Sequence, residues 1–366
     1  MTSPITIISP ELPPMSGGVG DYTEQLIRHW PRGQEFEFII PKHSAPALAM
    51  RDSHNVHKVA ADRHAVAARL PEAGAVLLQY SAYGFSHYGY PRWLVDALLD
   101  WKRKRRGRLC VMFHEIWTFW PWWNKNYPIQ LLHRRALRRL LDVADAVFTS
   151  TASQADHLSR LAPGIDVDVL PVGSNIIPTD LDAQSKRAGA AVVFGMQSTR
   201  LRALTEMGSG LRALAAAQRL TEIITVGAGN STAQDAQERS LLESFGMSGG
   251  FRRLGEKTAA EISANLSTCE FGIAAQDPLS YTKSGTFMAY AAHGLNILSN
   301  YADPTAPEPM SLLISPAQLM GNLDPAEVTI RAQKLRSWYE RTASWPQIAQ
   351  NIAAVFDRPS TEGAGV

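Results

Sequence analysis

The stretch Ser16-Gly17-Gly18-Val19-Gly20-Asp21-Tyr22-Thr23 follows the first apolar segment of the chain, residues 5–8, and opens a helix predicted over residues 22–30. A glycine-rich turn between a strand and a helix lets the backbone approach a ligand closely, and it directs free helix N–H groups toward that ligand. An anion is favoured there, so Gly17 and Gly18 are candidate ligand-binding residues. A plain tight turn would use the same glycines, which alone do not separate the two interpretations.

The order of strand, turn and helix recurs along the chain. Apolar runs predict a first set of strands at residues 5–8, 37–40, 75–79, 109–113, 146–149 and 168–170, with helices between them such as 91–104 and 130–144. A second set of strands is predicted at residues 190–194, 222–226, 251–253, 271–274 and 296–298. Its helices are predicted at residues 201–219, 259–267, 286–293, 325–339 and 346–356. This alternation predicts an α/β fold with two Rossmann-like, doubly wound domains.

The length of 366 residues also suits two domains. The predicted boundaries are residues 1–175 for the N-terminal domain, 176–189 for a polar linker and 190–340 for the C-terminal domain. Residues 341–366 are predicted to form a helix that packs back on the N-terminal domain, followed by a frayed tail. Open α/β sheets bind ligands at the carboxyl ends of their strands, so we expect a cleft between the two domains.

The charge pattern excludes few classes of binding partner, but it shows two basic blocks. The net charge of +2 gives no reason to expect nucleic acid as a partner. One basic block spans residues 102–108, and the other contains Arg134, Arg135, Arg138 and Arg139. Both blocks are explained as solvated helix surfaces, and the alternative is a patch for anionic lipid or a polyanionic substrate.

The cysteine count and the N-terminal sequence bear on location. Cys110 and Cys269 lie in or beside apolar strands and are interpreted as small buried side chains, which fits a reducing compartment. No signal-peptide pattern and no membrane-spanning run is found. The expected location is the cytoplasm, with peripheral contact at the inner face of a membrane left open.

Four segments, in this order, resemble glycosyltransferases of the GT-B architecture, and specifically relatives of family 4. They are residues 17–23 (GGVGDYT), 111–115 (VMFHE), 144–150 (ADAVFTS) with 170–175 (LPVGSN), and 282–287 (TKSGTF) leading into 290–299. They look like the family's glycine loop, its N-domain histidine strand, its closing strand with exit loop, and its donor loop with helix. The resemblance covers nearly the whole chain.

The resemblance implies a hexosyltransferase that moves a sugar from a nucleotide-diphosphate sugar to an acceptor, with retention of configuration. The C-terminal domain would bind the donor. The departing diphosphate gains negative charge, which cations and oriented N–H groups stabilise. The predicted donor-binding residues are Gly17, Gly18, Arg200, Lys283, Ser284, Gly285 and Thr286. A solvated lysine and simple helix caps remain the alternative for Lys283, Ser284 and Thr286.

The N-terminal domain would bind a glycan, lipid-linked or small-molecule acceptor. His114 ends a strand and is predicted to be catalytic, either on the donor sugar or on a proton in transfer. The predicted acceptor-binding residues are Asp21, Tyr83, Glu115, Trp117 and Trp120. Glu115 could instead orient His114 or lie in solvent. The tryptophans of residues 117–123 could stack on sugars, lie at a membrane interface or form a hydrophobic plug.

The chain also departs from the family pattern. The two glutamates that family members carry around the donor loop correspond here to Tyr281 and Ala289, counted back from Gly294. Asp277 is the nearest carboxylate and is predicted to replace one of them in part; its alternative is a turn-forming aspartate before a proline. The residues Gly227, Gly229 and Asn230 would lie near the nucleotide base or form an ordinary turn.

No cluster of His, Cys or Asp has metal-ligand spacing, so neither a metal nor another cofactor is expected. Two other functions stay open. One is a catalytically silent relative that binds glycan or a partner transferase, because the glutamates are missing. The other is a sugar-nucleotide epimerase on the same architecture. A dehydrogenase is disfavoured because the glycine loop is not a dinucleotide fingerprint.

Overall fold

A computed structural model describes residues 4–13, 17–31, 33–42, 55–105, 107–117, 119–178, 186–229, 231–321 and 323–357. The chain divides into two compact units. Unit 1 comprises Met1–Pro171 and Trp345–Val366, and unit 2 comprises Val172–Ser344.

Unit 1 is built on a seven-stranded parallel sheet with the order β3-β2-β1-β4-β5-β6-β7. The strands are β1 (Ile5–Ile8), β2 (Phe36–Pro41), β3 (Asn55–Val59), β4 (Ala75–Tyr80), β5 (Arg108–Phe113), β6 (Ala146–Thr149) and β7 (Asp168–Val169). The central strands are buried on both faces, which is why they read as continuous apolar runs. The edge strand β3 was missed because three residues of its sequence, NVHKV, are polar and only the last residue is buried.

The helices of unit 1 cover both faces of this sheet. They are α1 (Gly18–Arg28), α2 (Arg63–Ala67), α3 (Ala82–Phe85), α4 (Arg92–Lys104), α5 (Tyr127–Leu141), α6 (Ala152–Leu161) and α14 (Trp345–Asp357). The last of these returns from the end of the chain. The ring of Trp345 meets the ring of Tyr22 at 5.1 Å, edge to face. Helix α6 was not predicted from the sequence.

Unit 2 has a five-stranded parallel sheet with the order β10-β9-β8-β11-β12. The strands are β8 (Arg187–Phe194), β9 (Glu222–Val226), β10 (Phe251–Arg253), β11 (Cys269–Ile273) and β12 (Asn296–Leu298). The helices are α7 (Gln197–Glu206), α8 (Gly208–Ala216), α9 (Thr232–Ser244), α10 (Ala259–Thr268), α11 (Gly285–Ala292), α12 (Pro316–Met320) and α13 (Pro325–Thr342). The helix predicted over residues 201–219 is therefore two helices. Gly210 lets α12 pack closely, since a Cβ there would lie 2.5 Å from Pro316.

One buried hydroxyl fixes α11 against the sheet of unit 2. The Tyr290 hydroxyl accepts the N–H of Phe194 at 2.7 Å, at the end of β8. The Tyr290 ring lies so close to β11 that a Cβ on Gly272 would be 2.6 Å from it. A larger residue at Gly272 would displace Tyr290, and with it the start of α11.

Among the described residues, no helix is long and apolar enough to cross a membrane. Cys110 and Cys269 are both buried and free. Burial raises the pKa of both thiols, to about 11 for Cys269.

Candidate functional site

The glycine loop of unit 1 is closed by a carboxylate of the chain itself. Oε1 of Glu11 accepts the backbone N–H groups of Val19 and Gly20, both at 3.2 Å, in the first turn of α1. A Cβ on Gly17 would lie 1.9 Å from the same oxygen, so a larger residue there would have to displace the Glu11 carboxylate. The N–H groups expected to face a ligand are thus partly used by Glu11, which the sequence reasoning missed. The predicted donor role of Gly17 and Gly18 stays a prediction.

Asp21 lies on the first turn of the same helix and is half-buried. Burial raises the pKa of Asp21, and the charges of Glu24 and Glu11 raise it further. The structure places Asp21 outside the pocket that gathers Tyr83, Glu115 and Trp117.

His114 is buried directly after β5. Its Nε2 lies 2.6 Å from Oε1 of Gln79, the penultimate residue of β4, so Nε2 carries the hydrogen in this pair. The ring of Tyr22 meets the His114 ring edge to face at 4.8 Å. Within the described ranges, Nε2 of Gln79 and the Tyr22 hydroxyl are buried without a hydrogen-bond partner. Unpaired buried polar atoms are uncommon and occur at sites that a ligand or water completes.

A pocket of about 290 Å³ lies beside His114 in unit 1 and gathers three of the predicted acceptor residues. It is lined by Tyr83, Glu115, Ile116, Trp117, Phe119, Ser153, Gln154 and His157. The last three come from α6, which sequence reasoning missed. A signal was available: Thr151 and Gln154 have the spacing of a capping box, and Thr151 does accept the Gln154 N–H.

Hydrogen bonds tie this pocket to the ends of two strands. Oε1 of Gln154 accepts from the Thr149 hydroxyl at 2.5 Å, and Nε2 of Gln154 donates to the carbonyl of His114 at 3.4 Å. Nδ1 of His157 donates to the Ser153 carbonyl at 2.6 Å, so neutral His157 keeps Nε2 as an acceptor. Oε2 of Glu115 accepts from the Ser81 hydroxyl at 3.0 Å.

The pocket combines aromatic faces with polar atoms. The Phe119 ring lies 5.5 Å from Trp117 and 4.8 Å from His157. Nε1 of Trp117 is buried without a partner among the described residues, and the Arg134 guanidinium lies 5.4 Å from the Trp117 ring centroid. Aromatic faces, a carboxylate and an indole donor together suit a polyol with apolar ring faces. Trp120 is not part of this set: it is half-buried, and its N–H donates to Gln130 at 2.5 Å.

In unit 2, the predicted donor loop forms the N-terminus of α11. The Ser284 hydroxyl accepts the N–H of Phe287 at 3.2 Å and caps the helix. The N–H groups of Gly285 and Thr286 have no hydrogen-bond partner among the described residues. Lys283 is exposed just before them, at the end of the 3₁₀ turn Tyr281–Lys283. The structure therefore brings all four predicted residues of this loop to one helix end.

The loops after β8 and β9 lie against each other in unit 2. Gly227 has φ +134°, and a Cβ there would be 2.1 Å from the Gly195 carbonyl oxygen. A Cβ on Gly195 would in turn lie 2.9 Å from the Thr286 hydroxyl. Glycine is required at both positions because the backbones approach so closely. Asn230 lies outside the described residues.

Arg200 is engaged inside the protein. Its guanidinium makes a forked contact with Glu238 on α9, at 3.0 and 2.9 Å, and both side chains are buried. Its Nη1 donates to the carbonyls of Gly195 at 2.7 Å and Ala228 at 3.1 Å. The forked contact expected with a donor phosphate is thus made to Glu238, and Arg200 holds the two loops together. Glu238 was missed because it reads as an ordinary surface glutamate in a polar helix.

Asp277 forms a turn. Its carboxylate accepts the N–H of Leu279 at 2.9 Å and the hydroxyl of Ser280 at 2.7 Å. Burial acts to raise the pKa of Asp277, but these hydrogen bonds outweigh it and the pKa is lowered. The bond pattern is that of a turn-forming aspartate, and the predicted catalytic role stays a prediction.

The two positions that would hold the family's glutamates are packed. The Tyr281 ring lies 5.3 Å from Phe287 and 6.1 Å from Trp338, and burial raises the pKa of its hydroxyl. Ala289 is fully buried in α11. Across the described ranges, no group of three or more His, Cys, Asp or Glu could hold a metal ion.

No family model and no curated protein matches the chain. Solved structures do match along almost all of it. Sucrose-phosphate synthase from Thermosynechococcus elongatus superposes with a TM-score of 0.62 at 12% identity, covering 97% of this chain and 98% of that one. Anabaena HepE in complex with UDP gives 0.60 at 12% identity, covering 96% and 99%. WaaG, a glycosyltransferase involved in lipopolysaccharide biosynthesis, gives 0.57 at 12% identity, covering 97% and 100%.

Both units have parallel sheets with these strand orders, and the solved structures match them along almost all of the chain. The predicted fold class is therefore confirmed. The chain has the GT-B architecture of nucleotide-sugar glycosyltransferases.

Proposed function

We propose that the protein is a glycosyltransferase that moves a sugar from a nucleotide-diphosphate sugar to a glycan, lipid-linked or small-molecule acceptor, with retention of configuration. The observation that carries the proposal is the N-terminus of α11. There two unpaired N–H groups, of Gly285 and Thr286, lie next to the exposed Lys283.

This helix end suits a diphosphate for a physical reason. The first N–H groups of a helix carry partial positive charge and donate hydrogen bonds to an anion. They do so without the cost of desolvating a charged side chain. Charge grows on the diphosphate as the sugar leaves, so contacts made there strengthen in the transition state. The open space around Gly285, where a Cβ would meet nothing within 4 Å, leaves room for the phosphates.

The acceptor is proposed to bind in the pocket of unit 1. Phe119 and Trp117 present ring faces, Glu115 presents a carboxylate, and the unpartnered Trp117 Nε1 is a donor that a sugar hydroxyl would satisfy. His114, tied to this pocket through Gln154, is proposed to act on the donor sugar or on a proton in transfer. Neither a metal nor a cofactor is part of the proposal, since helix N–H groups and Lys283 take the role of the cation.

A second candidate, a catalytically silent GT-B protein that binds a nucleotide or a glycan, is supported by one observation. Both positions of the glutamate pair are filled by packed, uncharged side chains, Tyr281 and Ala289. Nucleotide binding without turnover on any acceptor would favour this candidate.

We propose the cytoplasm as location, with peripheral contact at the inner membrane surface.

The test removes one N–H group from the start of α11. Proline is tolerated at the first position of a helix, and Ser284 (φ −94°, ψ 105°) already has the extended backbone that precedes proline. Gly285→Pro should weaken binding of UDP, ADP or GDP about tenfold or more, because a hydrogen bond to a charged group is lost. Gly285→Ala keeps the N–H and is the matched control.

Thermal shift with these three nucleotides and their sugars identifies the base, and calorimetric titration then measures both variants. Equal affinity of the proline and alanine variants would remove α11 as the donor cradle. For whichever donor binds, the anomeric configuration of a transfer product, read by proton NMR, decides retention.

A further inference from the structure

Four large apolar side chains are exposed between residues 122 and 132 of unit 1, shortly after the pocket-lining Trp117 and Phe119 in sequence. We call them the tryptophan surface: Trp122, Trp123, Leu131 and Leu132. Their exposed fractions are 76, 72, 46 and 52%. Trp122 and Trp123 lie edge to face at 5.6 Å, so the two indoles form one apolar projection. The leucines lie on the first turns of α5, whose buried residues face the core.

The charge around this surface has a single sign. Residues 116–141 contain no Asp and no Glu, but they contain five cations: Lys125, Arg134, Arg135, Arg138 and Arg139. Arg134 lies over the Trp117 ring and Arg139 pairs with Asp96 at 3.3 Å. Arg135 and Arg138 are exposed, and neither has an ion pair among the described residues.

The other basic block of unit 1 is mostly engaged within the unit. Lys102 pairs with Asp145 at 2.5 Å and Arg105 pairs with Glu72 at 3.3 Å. Arg108 donates to the carbonyl of Val355, near the end of α14. Lys104 is exposed without an ion pair among the described residues, as Arg135 and Arg138 are. What distinguishes Arg135 and Arg138 is that they follow four exposed apolar side chains on the same stretch of chain.

We propose that the tryptophan surface, with Arg135 and Arg138, docks on a membrane that contains anionic lipid. Indoles prefer the interface between headgroups and acyl chains, leucines enter the apolar layer, and arginines contact lipid phosphates. A second copy of the chain is disfavoured as occupant, because a symmetric contact would set the exposed Arg135 and Arg138 against the same cations of the other copy.

Docking through this surface deepens the proposed function, on which the following step rests. Arg134 of α5 contacts Trp117, and Trp117 lines the pocket, so the membrane-facing helix and the acceptor pocket are joined by one contact. An acceptor whose sugar occupies the pocket would carry its lipid tail toward the tryptophan surface. The proposal thus selects the lipid-linked class among the acceptors.

The test measures sedimentation of the full chain with vesicles of phosphatidylcholine and phosphatidylglycerol, against vesicles of phosphatidylcholine alone. We expect binding to the mixed vesicles that falls as salt is raised. Arg135→Gln with Arg138→Gln should weaken it about thirtyfold, since each arginine near an anionic surface contributes a factor of about five. Trp122→Ser with Trp123→Ser should abolish it.

Arg219→Gln with Ile330→Ser, two exposed residues of unit 2, is the matched control and should bind like the wild type. Absence of wild-type binding at low salt, or unchanged binding of the arginine variant, overturns the proposal. Velocity sedimentation that shows a dimer lost in the tryptophan variant also overturns it, in favour of self-association.

If the tryptophan variant fails to melt cooperatively, the variant in which the exposed Arg135 and Arg138 are both replaced still tests the proposal. Nucleotide thermal shifts are measured on the same samples. Failure of membrane docking with intact nucleotide shifts leaves the proposed transferase standing, whereas absence of both contradicts both claims.

Discussion

Both units place a glycine at the start of a helix that follows the carboxyl end of a parallel strand, yet the two helix ends are completed differently. In unit 1 the carboxylate of Glu11 accepts two N–H groups of α1. In unit 2 the N–H groups of Gly285 and Thr286 have no partner among the described residues, and Lys283 stands beside them. The first turn of α1 is thus closed by a distant carboxylate, whereas α11 is capped by Ser284 and keeps two open N–H groups among the described residues.

A second difference lies in the polar pairs buried near these edges. Unit 1 buries a neutral pair, in which the hydroxyl oxygen of Tyr80 lies 2.5 Å from Nε2 of His133. Unit 2 buries an ionised pair, Arg200 with Glu238. A buried ion pair fixes the positions of its two side chains through several hydrogen bonds. A buried neutral pair that contains a histidine loses stability when the pH falls and the histidine gains a proton. The four predictions below test these contrasts, beginning with the largest expected effect.

Arg200→Ala should destabilise the protein by about 3–5 kcal/mol, because it leaves Glu238 buried without its partner. Arg200→Met with Glu238→Met removes both charges and should recover most of that loss. Arg202→Ala, on the same helix with an exposed pair to Glu206, is the control and should cost within about 0.5 kcal/mol. Urea unfolding measures all three. A stable double-methionine variant that no longer binds nucleotide would return Arg200 to the donor site.

Acidification should weaken unit 1 through His133. Burial lowers the pKa of His133 to about 4 from the ordinary 6.5, so between these values the unfolded chain binds a proton that the folded chain does not. This contribution to stability is full above about pH 6.5 and is lost toward pH 4, by about 3 kcal/mol in all. His133→Gln should flatten the profile of unfolding free energy against pH over this range. Parallel profiles for the variant and the wild type would contradict the assignment.

Lys283→Ala should weaken binding of the nucleoside diphosphate chosen by thermal shift, with a loss of about 1.5–3 kcal/mol for a charge-assisted contact. The melting midpoint without ligand should not change, since the side chain is exposed. Lys257→Ala, which removes a half-buried cation paired with Glu261, is the control. Calorimetric titration decides between them, and equal affinities would mean that the open helix end of unit 2 works without this cation.

Glu11→Ala should cost about 0.5–2 kcal/mol, the usual range for losing a side-chain cap, and should leave nucleotide affinity unchanged. Sulfate should then stabilise the variant more than the wild type, because the end of α1 becomes an open anion site. Glu24→Ala removes a nearby carboxylate that pairs with Arg28 and serves as the control. Loss of nucleotide binding in Glu11→Ala alone would show that the glycine loop holds the donor after all.

Strand patterns were predicted well because burial on both faces leaves an unambiguous apolar run. β1, β6, β9, β10 and β12 have the predicted bounds. Helix α6 was missed because its sequence, ASQADHLSRL, buries only Leu158 and shows little apolar period. That omission removed Ser153, Gln154 and His157 from the predicted site. Tyr83, Glu115 and Trp117 were found because each follows a strand end or a recognised segment.

The sequence by itself determined the two α/β units, the parallel sheets, the donor-loop helix and the uncharged residues at the glutamate positions. These depend on local periodicity and residue type, which the chain carries in order. Only the tertiary structure decided which polar groups are already satisfied. Glu11 accepts a helix N–H from eight residues along the chain, and Glu238 pairs with Arg200 from 38 residues away. Arg135 and Arg138 differ from the other basic block only by what surrounds them. Whether an N–H group or a cation can bind a ligand depends on these distant partners, and periodicity does not encode them.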